Sequence, residues 1–195
     1  MTIEQITALG RVIPVVVVHD AADAVPLAEA LVQRGMPAIE VTLRTPAALE
    51  AIERIAEVPG AVVGAGTVTT PAQIEAALHA GARFLVSPGT TPRLLDALQG
   101  TGAPFLPGAA TPSEMLALLE RGITHAKFFP AEASGGVPAV KALAGPFPQL
   151  RLCPTGGIDE NRAGRYLAQP NVACVGGSWM IRDALYASET RSASV

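Results

Sequence analysis

The sequence predicts a single-domain α/β protein, a (β/α)8 or TIM barrel, and three features of the 195 residues indicate this fold. Short apolar runs rich in valine, isoleucine and glycine alternate with alanine- and leucine-rich segments. The starts of the runs are separated evenly, by 20 to 26 residues. There are eight runs, which begin near Val12, Ala38, Ala61, Phe84, Pro104, His125, Leu150 and Val172. Repeated strand–helix units form parallel sheets with right-handed crossovers, and eight of them can close into a barrel.

The segments between the runs carry helix start and stop signals. Helical spacing of apolar residues is clearest over 46–56, and residues 22–34 form a second such segment. Threonine caps free amides and proline fits the first helical turn, so Thr-Pro pairs mark expected starts. These pairs are Thr45-Pro46, Thr70-Pro71, Thr91-Pro92 and Thr111-Pro112. Gly35, Gly81 and Gly122 mark expected helix ends.

An open, doubly wound sheet is the alternative to a barrel. The even spacing and the lack of a G-x-G-x-x-G turn after the first run favour the barrel. We expect the barrel domain to span residues 1–187. Residues 188–195 have no helical apolar period and are expected to form a mobile tail.

Composition and charge exclude several classes of function. The net charge is −3 and no basic block is present, which argues against nucleic acid or a membrane as partner. The N-terminus does not read as a signal peptide, and no apolar stretch approaches the roughly 20 residues that span a bilayer. A cytoplasmic location is expected. Cys153 and Cys174 are predicted to be small buried hydrophobic residues, and no cluster predicts a metal site. The three histidines, His19, His79 and His125, are interpreted as structural or surface residues.

Lys127 is the first candidate for chemistry. It is one of only two lysines in the chain and lies inside the strand-like run 125–131. Lysine is almost never buried without a reason. Desolvation in an apolar pocket favours the neutral amine, which is a nucleophile that can form a Schiff base with a carbonyl substrate. The alternative is a lysine that extends its amine to water or pairs with a carboxylate.

A charged face on the second predicted strand provides a partner for this lysine. Glu40, Thr42 and Arg44 share one face because side chains alternate along a strand. By the same period Lys127 and Phe129 share a face. Charged groups inside a barrel are costly without a purpose, so we expect Glu40 and Lys127 to meet in an active-site pocket. An interior ion pair without catalysis, of Glu40 with Lys127 or with Arg44, is the alternative.

Two glycine pairs predict a phosphate site. Gly156-Gly157 and Gly176-Gly177 end the last two predicted strands. Glycine lets the backbone approach a ligand closely, and barrels commonly hold phosphate in the loops after strands seven and eight. The segments 64–67 and 87–89 end strands three and four with small residues, which leaves room at the mouth of the barrel.

Seven segments in this order resemble one enzyme family, the 2-keto-3-deoxy-6-phosphogluconate (KDPG) aldolases. They are Glu40–Thr45, Gly64–Thr67, Ser87–Gly89, Lys127–Glu132, Gly145–Phe147, Cys153–Ile158 and Gly176–Trp179. The resemblance implies a class I aldolase that needs no metal and no cofactor. Such an enzyme cleaves KDPG reversibly to pyruvate and glyceraldehyde 3-phosphate in the Entner–Doudoroff pathway and forms a homotrimer. The family usually continues into a longer C-terminal helix than this chain has.

The resemblance also implies residue roles. Lys127 forms the Schiff base with substrate, and Glu40 moves protons, usually through water. The other implied positions are Arg44 and Thr67 for the pyruvate carboxylate, Pro88 and Phe129 around the reacting carbons, Thr155 for stereochemical discrimination, and Gly156, Gly157, Gly177 and Ser178 for the phosphate.

Two other functions stay open from the sequence. Related aldolases act on the 6-phosphogalactonate epimer or on 4-hydroxy-2-oxoglutarate, and some decarboxylate oxaloacetate through the same enamine; Thr155 and the glycine pairs favour a phosphorylated gluconate-type substrate. A barrel that only binds phosphate or forms assemblies, with Lys127 merely paired to Glu40, belongs to a different class.

Overall fold

The computed structural model describes residues 1–181, which form a parallel barrel surrounded by helices. Two short strands, β5 and β6, are the halves of one barrel strand and are separated by Pro107, which has no N–H for the ladder. Every barrel strand begins within three residues of its predicted start, and the predicted fold is confirmed. The strands are β1 (Val12–Val16), β2 (Ala38–Thr42), β3 (Val62–Gly66), β4 (Leu85–Val86), β5 (Phe105–Leu106), β6 (Gly108–Ala109), β7 (His125–Phe128), β8 (Arg151–Pro154) and β9 (Val175–Gly177).

The strands form two parallel sheets that together close the barrel. One sheet has six strands in the order β5-β4-β3-β2-β1-β9, and the other has three in the order β6-β7-β8. The sheets are continuous in sequence through Pro107. On the other side they meet through two isolated bridges, Leu152 with Val172 and Thr155 with Gly176. The carboxyl ends of all strands therefore lie at one end of the barrel.

Three of the four predicted helix starts are confirmed. Thr70, Thr91 and Thr111 each accept a hydrogen bond from the amide three residues later. The prediction for Thr45 was wrong, because its hydroxyl donates to the Val18 carbonyl, and the following helix begins only at Ala48 without a side-chain cap. The helices are α1 (Ile3–Thr7), α2 (Ala24–Gln33), α3 (Ala48–Ala56), α4 (Pro71–His79), α5 (Pro92–Gly100), α6 (Pro112–Glu120), α7 (Gly136–Ala144) and α8 (Glu160–Leu167), with a 3-10 turn at Ala21–Asp23 before α2.

The predicted helix ends are confirmed as well. Gly35, Gly81 and Gly122 lie two residues beyond the last residues of α2, α4 and α6, with φ angles of 76°, 94° and 73°. These left-handed conformations favour glycine, since a Cβ atom would be strained there. The chain therefore turns sharply after each of these helices, toward the next strand.

The amino-terminal half of the barrel interior is filled. Helix α1 closes this end, with Ile6 fully buried against an interior cluster that includes Phe84. The Phe84 ring needs a glycine opposite, since a Cβ atom at Gly64 would lie 2.4 Å from it. Cys153 and Cys174 are free and buried in the same cluster, as the sequence predicts. Open space is thus left at the carboxyl ends of the strands.

Two expectations concern the ends and surroundings of the chain. The predicted boundary at residue 187 and the tail over 188–195 lie outside the described residues, as does the short segment before them apart from Ile181. Among residues 1–181, no helix is both long enough and apolar enough to cross a membrane.

Candidate active site

A pocket of about 420 Å³ opens at the carboxyl ends of the strands. All eleven residues that the sequence analysis singled out line it. They come from β2, β7 and β9 and from the segments that follow β2, β3, β4, β7, β8 and β9, so their convergence results from closure of the barrel. In parallel barrels this end carries the active site.

Lys127 and Glu40 make a direct contact at this pocket. The Nζ atom of Lys127 donates a hydrogen bond of 2.9 Å to Oε1 of Glu40. The two residues are only 5% and 3% exposed, and they come from β7 and β2 across the barrel interior. The Phe129 ring lies beside the amine, with its centroid 5.3 Å from Nζ. A buried ion pair of this kind contributes little net stability, so its presence points to chemistry.

The charge of the pocket favours an anionic ligand. Among the described residues that line it, Arg44, Lys127 and Glu40 are the charged ones, which leaves one net positive charge. Arg44 follows β2 and is exposed at the rim, while the ion pair is buried below it. A cationic concave site attracts anions and raises their local concentration.

Thr67 adopts an unusual backbone conformation at the pocket wall. It follows β3 and has a φ angle of 59°, the one positive value among the non-glycine residues of 1–181. A β-branched residue in this region carries strain, on the order of 1–3 kcal/mol. Strained residues of this type are found most often where a site demands a fixed geometry.

The loop after β8 offers free backbone donors. Gly156 and Gly157 have φ angles of 104° and 77°, and both line the pocket. The bridge between Thr155 and Gly176 turns the N–H group of Gly156 toward the Gly176 carbonyl. The N–H group of Gly157 donates no hydrogen bond to any acceptor within residues 1–181. The next amide, that of Ile158, is also unpaired among these residues, and consecutive unpaired amides in such a turn form a concave site for an anion.

The second glycine pair has a packing role as well. A Cβ atom at Gly176 would lie 2.3 Å from Oγ1 of Thr155, and one at Gly177 would lie 1.7 Å from the Trp179 ring. Both positions must therefore be glycine for these neighbouring side chains to fit. Ser178, which follows the pair, is exposed and lines the pocket.

These features agree with comparisons to known proteins. A sequence model of the KDPG and KHG aldolase family matches residues 3–193. The chain belongs to this family. The 2-dehydro-3-deoxy-phosphogluconate aldolase of Zymomonas mobilis is 50% identical over 179 residues, which are 92% of this chain and 86% of that protein. The KHG/KDPG aldolase of Escherichia coli K12 is 50% identical over 188 residues, which are 95% and 88% of the two chains.

One solved structure of the family also carries a reaction intermediate. The KDPG aldolase of Legionella pneumophila was crystallised with pyruvate captured at low pH as a covalent carbinolamine. It superimposes on this chain with a TM-score of 0.91 at 47% identity, and the match covers 98% of this chain and 96% of that structure.

Five pocket residues were not among the sequence-predicted site residues. The sequence carried a signal for two of them, because Val15 and Val17 share one face of the first predicted run by the two-residue period. In the structure Val15 pairs in register with Glu40. Thr42 was placed on the charged face without a role, and its hydroxyl donates to the Val16 carbonyl at 3.0 Å. The five are Val15, Val17, Thr42, Ile158 and Gly176.

The three histidines of the chain lie away from the pocket. His19 and His79 are exposed, and His125 is buried at the amino-terminal end of β7. The interpretation of all three as structural or surface residues agrees with these positions. Burial lowers the pKa of His125 from its ordinary 6.5, although nearby Glu4 opposes this shift.

Proposed function

We propose that the protein is a class I aldolase that cleaves KDPG reversibly to pyruvate and glyceraldehyde 3-phosphate. The observation that carries the proposal is the buried 2.9 Å contact between Lys127 and Glu40 in a cationic pocket. Family membership supports it, since the Zymomonas mobilis relative is named for this activity. The pairing places a nucleophile and a general acid–base side by side.

The first half of the mechanism forms the Schiff base. The carboxylate of Glu40 accepts a proton from the Lys127 ammonium group, which frees the nitrogen lone pair. The amine then adds to the C2 carbonyl of the substrate and gives a carbinolamine. Glu40 returns its proton to the carbinolamine hydroxyl, which leaves as water, and an iminium ion remains. The carbinolamine captured in the Legionella pneumophila relative supports this route.

The second half breaks the carbon–carbon bond. Glu40, again ionised, removes the proton of the C4 hydroxyl while the C3–C4 bond breaks and its electron pair moves into the iminium ion. Glyceraldehyde 3-phosphate leaves, and an enamine stays on Lys127. Glu40 then protonates C3 of the enamine, and water releases pyruvate from the resulting iminium ion. One carboxylate thus serves as base and acid in turn.

We assign the remaining pocket residues to parts of the substrate. Arg44 and Thr67 hold the pyruvate carboxylate, Pro88 and Phe129 pack around the reacting carbons, and Thr155 lies at the C4 hydroxyl. The net positive charge of the pocket and the aromatic ring beside the amine support these roles. The phosphate-binding residues are Gly156, Gly157, Gly177 and Ser178, supported by the free amide of Gly157 and by the place of all four residues in the pocket.

A second substrate is favoured by one comparison. The Escherichia coli relative is named for both KHG and KDPG. KHG is 2-keto-4-hydroxyglutarate, which is the same compound as 4-hydroxy-2-oxoglutarate, so this compound is a candidate substrate here too. The steps at Lys127 and Glu40 are the same for both substrates. We expect the phosphorylated substrate to be preferred because of the loop amides, and kcat/KM values for KDPG, its galactonate epimer and 4-hydroxy-2-oxoglutarate measure this preference.

Borohydride trapping tests the proposal directly. With pyruvate and borohydride, the peptide that contains Lys127 should gain the mass of pyruvic acid less one oxygen. Lys127→Met should abolish both trapping and turnover. The matched control is Lys141→Met, which removes the other lysine of the chain, on the exposed side of α7, and should leave trapping intact. An unmodified Lys127 in the wild-type protein would contradict the proposal and favour a barrel that only binds phosphate.

Two further expectations stay predictions. They are a homotrimeric assembly and a cytoplasmic location, which sedimentation analysis and cell fractionation measure.

A further inference from the structure

The loop after β8 is anchored from behind at three consecutive carbonyl groups. The Thr155 carbonyl accepts from the Ala131 amide at 2.8 Å, and the Gly156 carbonyl accepts from the Glu132 amide at 3.1 Å. The Gly157 carbonyl accepts from Nη1 of Arg162 at 2.9 Å. None of these three donor residues lines the pocket.

This anchoring fixes the direction of the loop amides. In a trans peptide unit the C=O and the following N–H point in opposite directions. The carbonyls of Gly156 and Gly157, held at the back of the loop, therefore turn the N–H groups of Gly157 and Ile158 toward the opposite side, where these residues line the pocket. These two donors are preorganised before any ligand arrives, which lowers the entropy cost of binding.

Glu132 connects the anchors to each other. Its Oε1 atom accepts a hydrogen bond from the hydroxyl of Tyr166, a fully buried residue of α8. Its Oε2 atom lies 3.8 Å from Nε of Arg162. Its side chain also packs directly on the loop, because a Cβ atom at Gly157 would lie 2.9 Å from Cβ and Cγ of Glu132. One side chain thus contacts the loop and both supporting residues of α8.

The charges of this cluster bear on how the loop can bind an anion. A carboxylate directly behind an anion site would repel the ligand. Arg162 faces Glu132 through Nε and lies 3.7 Å from Oδ2 of Asp159 through Nη1, so it offsets part of the charge of both carboxylates. The Tyr166 hydroxyl donates to the other carboxylate oxygen of Glu132. Burial, and next the bond to Glu132, raise the pKa of Tyr166, so its phenol stays a donor throughout the physiological range.

We infer that Glu132, Tyr166 and Arg162 are positioning residues that set the affinity for the substrate phosphate without touching the substrate. The inference rests on the proposed function, in which the loop of Gly156 and Gly157 receives the phosphate. The cluster acts through loop geometry, so it should affect phosphorylated substrates selectively. Schiff-base chemistry at Lys127 should not depend on it.

Steady-state kinetics of Arg162→Ala on two substrates test the inference. A hydrogen bond from a charged group is lost, and we expect KM for KDPG to rise about tenfold with kcat within about twofold of wild type. KM for 4-hydroxy-2-oxoglutarate, which has no phosphate, and the rate of pyruvate trapping should not change. Tyr166→Phe, which keeps the buried ring, should raise KM for KDPG about threefold in the same selective way.

Arg165→Ala is the matched control. Arg165 lies on the same helix and carries the same charge, but its side chain makes no hydrogen bond to the loop within residues 1–181. It should therefore leave KM for KDPG near the wild-type value. Equal losses with both substrates, or an effect of Arg165→Ala as large as that of Arg162→Ala, would overturn the inference. So would unchanged kinetics in Arg162→Ala and Tyr166→Phe. Failure of the wild-type protein to trap pyruvate would instead contradict the proposed function.

Discussion

Gly66 leaves space for the carboxylate of Glu40 on the neighbouring strand. A Cβ atom at Gly66 would lie 2.2 Å from Oε1 and 2.6 Å from Cγ of Glu40, closer than side-chain atoms can approach. The carboxylate is held on its other side by Lys127 at 2.9 Å. The last residue of β3 thus determines where the carboxylate that we propose as general acid–base lies.

The variant Gly66→Ala should therefore displace Glu40 and lose activity while it keeps the fold. Positioned acid–base catalysis contributes roughly 10²- to 10⁴-fold, so we expect kcat to fall at least about 100-fold. Steady-state kinetics and circular dichroism measure the two effects. Gly100→Ala is the control, because a Cβ atom there would have no neighbour within 4 Å. Wild-type turnover in Gly66→Ala would contradict this account of Glu40.

The ion pair itself should contribute little to stability. Lys127→Met alone leaves the Glu40 carboxylate buried and unpaired, and we expect a loss of about 3–5 kcal/mol in the free energy of unfolding. The double variant Lys127→Met with Glu40→Gln removes both charges and should recover most of this loss. Urea denaturation of the wild type, both single variants and the double variant gives the coupling energy. A double variant less stable than both single variants would show that the pair is structural.

The strain at Thr67 should be released by glycine. Thr67→Gly removes the Cβ atom that disfavours a φ angle of 59°, and it loses some backbone entropy in exchange. We expect the free energy of unfolding to rise by about 0.5–1 kcal/mol, with weaker substrate binding. Thr67→Ala keeps a Cβ atom and serves as the control. If the glycine variant unfolds at lower urea concentration than the alanine variant, the backbone of Thr67 is not strained.

Stability should fall in mild acid because of His125. Burial lowers the pKa of this histidine below the 6.5 of an exposed imidazole, so the unfolded chain takes up a proton first as the pH falls. The stability contribution is complete above about pH 6.5 and is lost as the pH falls through the lower pKa of the folded state. Glu4, 3.5 Å from Nδ1, partly offsets the effect, whereas Arg151 adds to it. His125→Gln should flatten the profile of unfolding free energy between about pH 7 and pH 5. An equally steep profile in that variant would assign the loss to other groups.

Local patterns predicted the barrel and the pairing of its central side chains. Side chains alternate between the two faces of a strand, so the residues that share a face with Glu40 and with Lys127 could be assigned without coordinates. Closure of the barrel then brings these two faces together. The helix starts at Thr70, Thr91 and Thr111 are equally local, since each cap bonds three residues along the chain.

Contacts between distant segments could not be predicted in this way. Thr45 has the sequence of a cap, but the Val18 carbonyl, 27 residues away, takes its hydrogen bond. Two short-range contacts were missed as well. Arg162 anchors Gly157 from five residues away, and this contact depends on how α8 is oriented behind the loop, which no periodicity encodes. Trp179 packs on Gly177 from two residues away, which gives the second glycine pair a role that its sequence alone does not reveal.

The division of the barrel into two sheets has a mechanical consequence. Glu40 belongs to the six-stranded sheet and Lys127 to the three-stranded one, and no unbroken ladder of strand pairs joins them. One junction is the break at Pro107, and the other consists of isolated bridges between β8 and the segment of β9. The contact of 2.9 Å is therefore maintained by packing across both junctions. We therefore expect loosening at either junction to lower the catalytic rate before the helical content of the protein changes.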